Sequence, residues 1–121
     1  MRIWYNPECS KCAIAQAALD EAGVEYTLRD YLAEPPNVEE LAEVVEKLGG
    51  HPREITRFHE LAAEELQLTP ESDIPVADWL AILAKHPELI QRPIMLLDDG
   101  SALIARDSAT VKKLVTVTTG Q

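Results

Sequence analysis

The chain has 121 residues, 46% of them hydrophobic and 5% aromatic, which suits one globular domain with its own core. Its 21 acidic and 11 basic residues leave a net charge of −10, which argues against direct, non-specific binding to nucleic acid or to an anionic membrane. No apolar run approaches the roughly 20 residues of a membrane-spanning helix, and Met1-Arg2 begins no signal-peptide pattern, so we expect no membrane partner and a cytoplasmic location.

The first part of the chain predicts a strand, a helix and a second strand. Arg2-Ile3-Trp4-Tyr5 has the apolar character of a buried strand, and Asn6-Pro7 ends it. From Ser10 to Ala22 the apolar residues recur at helical spacing, and Gly23 stops the helix. The second strand is predicted at 25–29. Because a strand, a helix and a strand follow each other within about thirty residues, the two strands should be parallel.

The middle of the chain predicts helices and no strand. Asn37 suits the N-cap of a helix, and Gly49-Gly50 suits its end. The helical spacing of apolar residues continues in shorter segments after these glycines. Four helical segments are predicted in all, at 38–48, 52–57, 59–66 and 73–84.

The last part of the chain predicts two strands and a helix. Strands are predicted at 94–97 and 102–105, joined by a hairpin turn at Asp98-Asp99-Gly100-Ser101. A helix should follow from Ser108 to Val115, capped by Asp107 or by Ser108 itself. Residues 116–121 are expected to form a flexible tail.

This order of elements predicts the fold. The order β-α-β, a helical insert and β-β-α is that of the thioredoxin fold, which belongs to the α/β class. We expect a thioredoxin-like mixed four-stranded sheet with helices on both faces and an inserted helical segment. A single domain should cover 1–115, with its insert at about 37–90. We also expect a monomer, since no predicted helix leaves a second apolar face exposed.

Both cysteines lie three positions apart in one short segment, Asn6-Pro7-Glu8-Cys9-Ser10-Lys11-Cys12. The segment lies at a predicted strand-to-helix turn, where the helix N-terminus favours an anion and lowers a thiol pKa. Cys9 is therefore predicted to be a reactive nucleophile. Cys12, one helical turn further on, either forms a redox disulfide with Cys9 or packs under the helix, and we favour the redox role. No metal site is expected, because the histidines are scattered and show no ligand spacing.

The proline before the third strand is the second feature of the predicted site. In the thioredoxin fold this proline is often cis and faces the reactive cysteine, so we predict that the Arg92–Pro93 bond is cis. Arg92 would then lie beside Cys9, and arginine is the usual multi-donor ligand of oxyanions. Arg57 and Arg106, taken singly, are more often surface charges than ligands.

Three segments together resemble the arsenate reductase family of the glutaredoxin-linked type, which also includes the Spx-type regulators. They are Tyr5-Asn6-Pro7-Glu8-Cys9-Ser10-Lys11-Cys12, then Tyr31-Leu32 before Pro35-Pro36, and His86-Pro87-Glu88-Leu89-Ile90-Gln91-Arg92-Pro93-Ile94. The likeness runs from Ile3 to about Leu114. It implies a nucleophilic cysteine at Cys9 and substrate-binding arginines at three positions, Arg57, Arg92 and Arg106.

The resemblance also implies the activity. It indicates an arsenate reductase-like oxidoreductase without a bound cofactor, in which Cys9 attacks a small oxyanion held by arginines. Glutathione, a glutaredoxin or thioredoxin, or Cys12 would resolve the resulting adduct. The chain departs from the family in having Tyr5 where a histidine is common, Ala13 where an arginine is common, and a second cysteine at Cys12. Two alternatives stay open: a general C-x-x-C thiol–disulfide oxidoreductase without arsenate activity, and an Spx-like redox-sensing transcriptional regulator.

Overall fold

A computed structural model describes residues 1–120 of the chain. These residues contain four strands, five α-helices and two short 3₁₀ helices, the latter at Pro52–Ile55 and Pro87–Leu89. The strands and α-helices are, in chain order, β1 (Arg2–Tyr5), α1 (Ser10–Glu21), β2 (Thr27–Asp30), α2 (Val38–Lys47), α3 (Leu61–Glu65), α4 (Val76–Lys85), β3 (Ile94–Leu96), β4 (Ala102–Ile104) and α5 (Ser108–Thr119). Within residues 1–120 no helix is both long and apolar enough to cross a membrane.

The described residues form two compact units. The sheet unit consists of residues 1–31 and 92–120, and the helical unit is Leu32–Gln91. The helical unit contains every element between β2 and β3, and all of these elements are helical. The predicted insert at about 37–90 lies within it. That the chain makes one domain stays a prediction.

The sheet has the mixed topology that the element order predicts. Its strand order is β2-β1-β3-β4, with β1 and β2 parallel and the other neighbours antiparallel. The parallel pairing follows from the helical crossover of α1, because two adjacent parallel strands need a connection of that length. Since β1 and β2 run in the same direction, their carboxyl ends lie at the same edge of the sheet, with Tyr5 opposite Asp30.

Helices α1 and α5 pack against one face of this sheet. Ile3 of β1 and Met95 of β3 are neighbours across the antiparallel ladder, and both are fully buried. Side chains from both helices complete this core, namely Ala15, Leu19, Val111 and Leu114. The core holds β1 and α1 in fixed positions, so the turn between these two elements is held at both ends.

The helical unit is built around α2 and α4, whose apolar sides pack together. Asn37 caps α2 as predicted: its side chain accepts a hydrogen bond from the Glu40 N–H at 2.8 Å, and Glu40 Oε1 accepts one from the Asn37 N–H at 3.2 Å. This reciprocal arrangement is a capping box. The indole of Trp79 is buried and donates a hydrogen bond of 3.0 Å to Thr56 Oγ1.

The structure corrects the predicted ends of several elements, chiefly at the carboxyl terminus. Helix α5 continues to Thr119, so residues 116–119 are helical and do not form the expected loose tail. Their threonine hydroxyls donate to carbonyls one turn back, for example Thr116 Oγ1 to the Lys112 oxygen at 3.0 Å. Gly120, with φ +77°, provides the left-handed residue that ends the helix. Gln121 of the predicted tail lies outside the described residues.

Candidate functional site

The turn between β1 and α1 places Cys9 at the start of the helix. The Asn6 side chain accepts a hydrogen bond from the Glu8 N–H at 2.9 Å, and the Asn6 carbonyl accepts one from the Cys9 N–H at 3.0 Å. Cys9 is the N-cap residue of α1, with extended backbone angles and no side-chain capping bond. The first N–H groups of the helix therefore point toward the Cys9 side chain. N–H groups at the start of a helix bind anions in this way in many proteins.

The Cys9 thiol is partly exposed, and its pKa is lowered from the ordinary value of 9.0 to about 7. Burial by itself acts to raise the pKa, but the Cys12 N–H, the Arg92 side chain, the Cys12 thiol and the Lys11 N–H outweigh it. Each of these groups stabilises the thiolate form. A thiol with a pKa of about 7 is half ionised at neutral pH, and the thiolate is the nucleophilic form.

Cys12 lies below Cys9 on α1 and has a different environment. Its side chain is buried, with 1% exposure, and both cysteines are free thiols. Burial, together with the neighbouring Cys9 thiol, raises the pKa of Cys12 to about 11. Cys12 is therefore protonated at neutral pH, so its S–H group is available to donate a weak hydrogen bond to the Cys9 sulfur.

Arg92 lies beside Cys9, although it is far away in sequence. The Arg92–Pro93 peptide bond is cis, the form that the sequence predicts. The Arg92 guanidinium interacts with the Cys9 sulfur and with the Tyr31 hydroxyl, and these interactions raise the pKa of Arg92 even though burial acts to lower it. The Nε atom of Arg92 is buried and has no hydrogen-bond partner within residues 1–120. A buried donor without a partner beside a thiolate is a feature of a site that receives an anion.

Arg106 supports Arg92 through the backbone. It lies two residues beyond the end of β4, in the connection to α5. Its Nη1 donates a hydrogen bond of 2.6 Å to the carbonyl oxygen of Arg92. This contact leaves the remaining guanidinium donors of Arg106 for other partners. The sheet unit thus brings together Cys9, Cys12 and Arg92, with Arg106 bound to the Arg92 backbone.

Arg57 belongs to the helical unit, where its side chain is 9% exposed. Its Nε and Nη2 atoms each lie 3.0 Å from Glu60 Oε1, and Nη2 also lies 3.0 Å from His59 Nε2. The charge of Arg57 is therefore already balanced by a carboxylate within its own unit. Glu60 was not predicted as its partner, because neither residue lies on a helix, where a spacing of three residues would indicate such a pair.

Tyr31 is a second residue whose role the sequence does not indicate. It directly follows β2, is fully buried, and is one of the groups that raise the pKa of Arg92. The sequence names it only within a segment that resembles the family, and the parallel pairing of β1 and β2 is a further signal of its position, because both strands end at the same edge of the sheet.

A groove with a volume of about 400 Å³ opens beside Cys9 in the sheet unit. Tyr5, Asn6 and Leu28 line it on the side of the strands, and Ala13 and Ala17 line it on the side of α1. The small alanine side chains leave room for a ligand next to the thiol. Within residues 1–120 no group of three or more histidine, cysteine or acidic side chains is placed to hold a metal ion.

Comparison with known proteins identifies the family. The sequence model of the ArsC family matches residues 4–114. The chain belongs to the ArsC family. This confirms the resemblance inferred from the motifs, and Cys9 and Arg92 both lie within the matched range.

Several relatives cover nearly all of the chain. A Streptomyces viridochromogenes protein, described as an uncharacterized protein in the glnII region, is 44% identical over 93% of this chain and 96% of its own length. An arsenate reductase of Neisseria meningitidis serogroup B is 34% identical over 95% of this chain and 97% of its own length. The global transcriptional regulator Spx 1 of Bacillus cereus is 28% identical over 78% of this chain and 71% of its own length.

The solved structure of an arsenate reductase from Vibrio cholerae has the same fold as this ArsC-family chain. It superimposes with a TM-score of 0.84 at 34% identity, and the match covers 93% of this chain and 97% of that chain. The mixed four-stranded sheet with helices is therefore the thioredoxin-like α/β fold that the sequence predicts.

Proposed function

We propose that this ArsC-family protein is a thiol-dependent reductase of a tetrahedral oxyanion, with arsenate as the first candidate substrate. The observation that carries the proposal is the Cys9 thiol at the N-terminus of α1, with a pKa of about 7 and the Arg92 guanidinium beside it. A thiolate next to a cation and to free N–H groups both attracts an oxyanion and is able to attack it. The arsenate reductases among its relatives support the choice of substrate.

The oxyanion would bind beside the Cys9 sulfur. The buried Nε–H of Arg92 is available to its oxygens, the N–H groups at the start of α1 lie next to the thiol, and Arg106 adds a second positive charge on the Arg92 side. Preorganised donors of this kind stabilise negative charge as it develops in the transition state. Arg57 enters the proposal through the family resemblance alone, as the third substrate-binding arginine.

The reaction proceeds in two balanced steps. The Cys9 thiolate attacks arsenic, a sulfur–arsenic bond forms, and one protonated oxygen leaves as water, so that arsenic stays pentavalent. A second thiolate then attacks the Cys9 sulfur and forms a disulfide with it. The electron pair of the sulfur–arsenic bond stays with arsenic, which leaves as trivalent arsenite. The second thiol is glutathione, supported by a glutaredoxin or thioredoxin that regenerates the enzyme, or it is Cys12.

The alternative function is that of a general thiol–disulfide oxidoreductase. The observation that favours it is the placement of the two free thiols, with Cys9 at the N-cap of α1 and Cys12 three residues further on the same helix. In this case the Cys9–Cys12 pair would exchange electrons with a protein disulfide and would not require an oxyanion. A reversible Cys9–Cys12 couple in a protein that forms no arsenite from arsenate would select this alternative.

The test measures arsenite formation from arsenate with glutathione and a glutaredoxin, and separately with a thioredoxin. Cys9→Ser should form no arsenite with either donor system. Cys12→Ser is the matched thiol control: it should keep turnover with glutathione if an external thiol resolves the adduct, and lose turnover if Cys12 does. Wild-type arsenite formation by Cys9→Ser would rule out the proposed mechanism.

A further inference from the structure

The groove beside Cys9 continues along helix α1 well beyond the thiol. Its lining on the helix extends from Cys9, at the N-cap, to Asp20, in the last turn. The eleven residues from Cys9 to Asp20 rise about 16 Å along the helix, which is about the length of five residues of extended chain. The groove is therefore long enough for a short peptide segment whose cysteine lies at the Cys9 end.

Small and apolar side chains line much of this groove. Ala13 and Ala17 are exposed on α1, and their small side chains leave the helix side of the groove open. Leu28 lines the strand side and is 45% exposed. It lies opposite Ile3 in the parallel ladder, so its side chain is on the face of the sheet that α1 covers. This exposed leucine beside two alanines offers apolar surface that a bound partner would remove from water.

The charge of the groove distinguishes between the two kinds of external thiol. Among the described residues that line it, Asp20 is the one with a charged side chain, and its carboxylate accepts a hydrogen bond from the Tyr26 hydroxyl at 2.7 Å. Glutathione carries two carboxylates, so it would bring negative charge into a groove whose described lining offers it no cation. Its cysteine is the middle residue of three, so it would reach along only about half of the groove. A protein thiol flanked by uncharged apolar residues has neither disadvantage.

We propose that the groove binds the uncharged, apolar segment beside the reactive cysteine of a donor protein, and that this protein thiol, rather than glutathione, attacks the Cys9 sulfur. The inference rests on the proposed function, because it concerns the second thiol of that mechanism. In this step the donor thiolate forms a disulfide bond with Cys9 and the bond from Cys9 to its leaving group breaks. The electron pair of the broken bond stays with the leaving group. The bound segment runs along α1 toward Asp20.

The test measures how fast the Cys9 thiolate attacks a peptide disulfide, since this exchange forms the same bond between Cys9 and the donor without arsenate. The probes are five-residue peptides with cysteine at one end, made in both chain directions and joined through a disulfide to thionitrobenzoate, whose release is followed by absorbance. One peptide contains leucine, valine and alanine, a second contains glycine and serine, and glutathione joined to thionitrobenzoate is the third probe. The wild type should react with the apolar peptide about tenfold faster than with the other two, the effect of burying about one leucine side chain. Mass spectrometry locates the adduct.

Ala17→Arg and Ala17→Glu fill the groove at a point about 12 Å along the helix from Cys9, with side chains of opposite charge. Both variants should slow the reaction with the apolar peptide about fivefold and leave the reaction with the glutathione probe within about twofold of the wild type. Ile14→Arg and Ile14→Glu are the matched controls, because Ile14 is 55% exposed on the same helix and is not among the residues that line the groove. They should leave the rates with all three probes unchanged.

Three results would overturn the proposal. The first is a wild-type rate with the apolar peptide that exceeds neither the glycine–serine rate nor the glutathione rate in either chain direction. The second is an unchanged rate in both Ala17 variants, or an equal loss in the Ile14 variants. The third is a rate that falls in one Ala17 variant and rises in the other, because charge would then select the donor. Since the exchange needs no arsenate, a wild-type protein that formed no arsenite would contradict the proposed substrate while these rates still decided what the groove binds.

Discussion

The pairing of Arg57 with Glu60 gives a prediction whose magnitude follows from the structure. The Arg57 side chain is 9% exposed and the Glu60 side chain 30%, and two guanidinium nitrogens lie 3.0 Å from the same carboxylate oxygen. In Glu60→Gln the amide oxygen is still able to accept both hydrogen bonds, but the negative charge is lost. Charge-assisted bonds are about twice as strong as neutral ones, so the free energy of unfolding should fall by about 1–2 kcal/mol.

Urea unfolding measures this loss. With a typical urea dependence for a small domain, the midpoint should fall by about 0.5–1 M. Glu64→Gln is the matched control, because Glu64 is exposed in helix α3, directly after the N-cap residue Glu60, and has no ion pair within residues 1–120. That variant should change the free energy of unfolding by less than about 0.5 kcal/mol.

Two outcomes would refute the reasoning about this pair. The first is an equal midpoint for Glu60→Gln and Glu64→Gln, which would mean that the carboxylate contributes nothing to the buried arginine. The second is a difference that disappears in 0.5 M salt, since at about this ionic strength exposed charges are screened within a few ångströms. A buried pair should keep most of its effect.

Three further predictions concern the cysteines and the cap of α2. Alkylation of Cys9 should slow about tenfold for each pH unit below its pKa of about 7, because only the thiolate reacts. The raised pKa of Cys12 favours the folded state below pH 9.0, and this contribution to the free energy of unfolding is lost as the pH rises through about 11. Cys12→Ala lacks this thiol. In urea unfolding, its free energy of unfolding should therefore fall less between pH 9 and pH 11 than that of the wild type. Asn37→Ala removes the capping box and should lower the free energy of unfolding by about 1 kcal/mol in the same urea assay; no change would contradict it.

The fold was predictable because its signals are local or follow from general rules of chain connection. The strand, helix and strand at the start of the chain predict a parallel pair, and the structure has β1 and β2 parallel. Asn37 predicts the start of α2 from its side-chain chemistry alone. The predicted end of α5 at Val115 was wrong, because threonine has a low helix propensity. In the structure, hydrogen bonds from threonine hydroxyls to carbonyls support the last turn, and Gly120 ends it.

The candidate site was only partly predictable. Cys9 stands out because its placement depends on a strand end and a helix start that are adjacent in sequence. Arg92 could be predicted as a site residue because, in this fold, the residue before the cis-proline lies beside the reactive cysteine. Glu60 and Tyr31 were not predicted. Glu60 pairs with Arg57 inside the helical unit, and Tyr31 affects Arg92 from a neighbouring strand of the sheet.

By itself the sequence determined the class of fold and the family, and it predicted which thiol is reactive, because periodicity, turns and a cysteine at a helix start are properties of neighbouring residues. Only the tertiary structure decided which groups surround that thiol. Arg92 stabilises the Cys9 thiolate, and burial keeps Cys12 protonated. Arg106, in the connection after β4, donates a hydrogen bond to the Arg92 carbonyl, and Tyr31, directly after β2, raises the pKa of Arg92. These relations depend on distance and burial in space, which the order of residues along the chain does not contain.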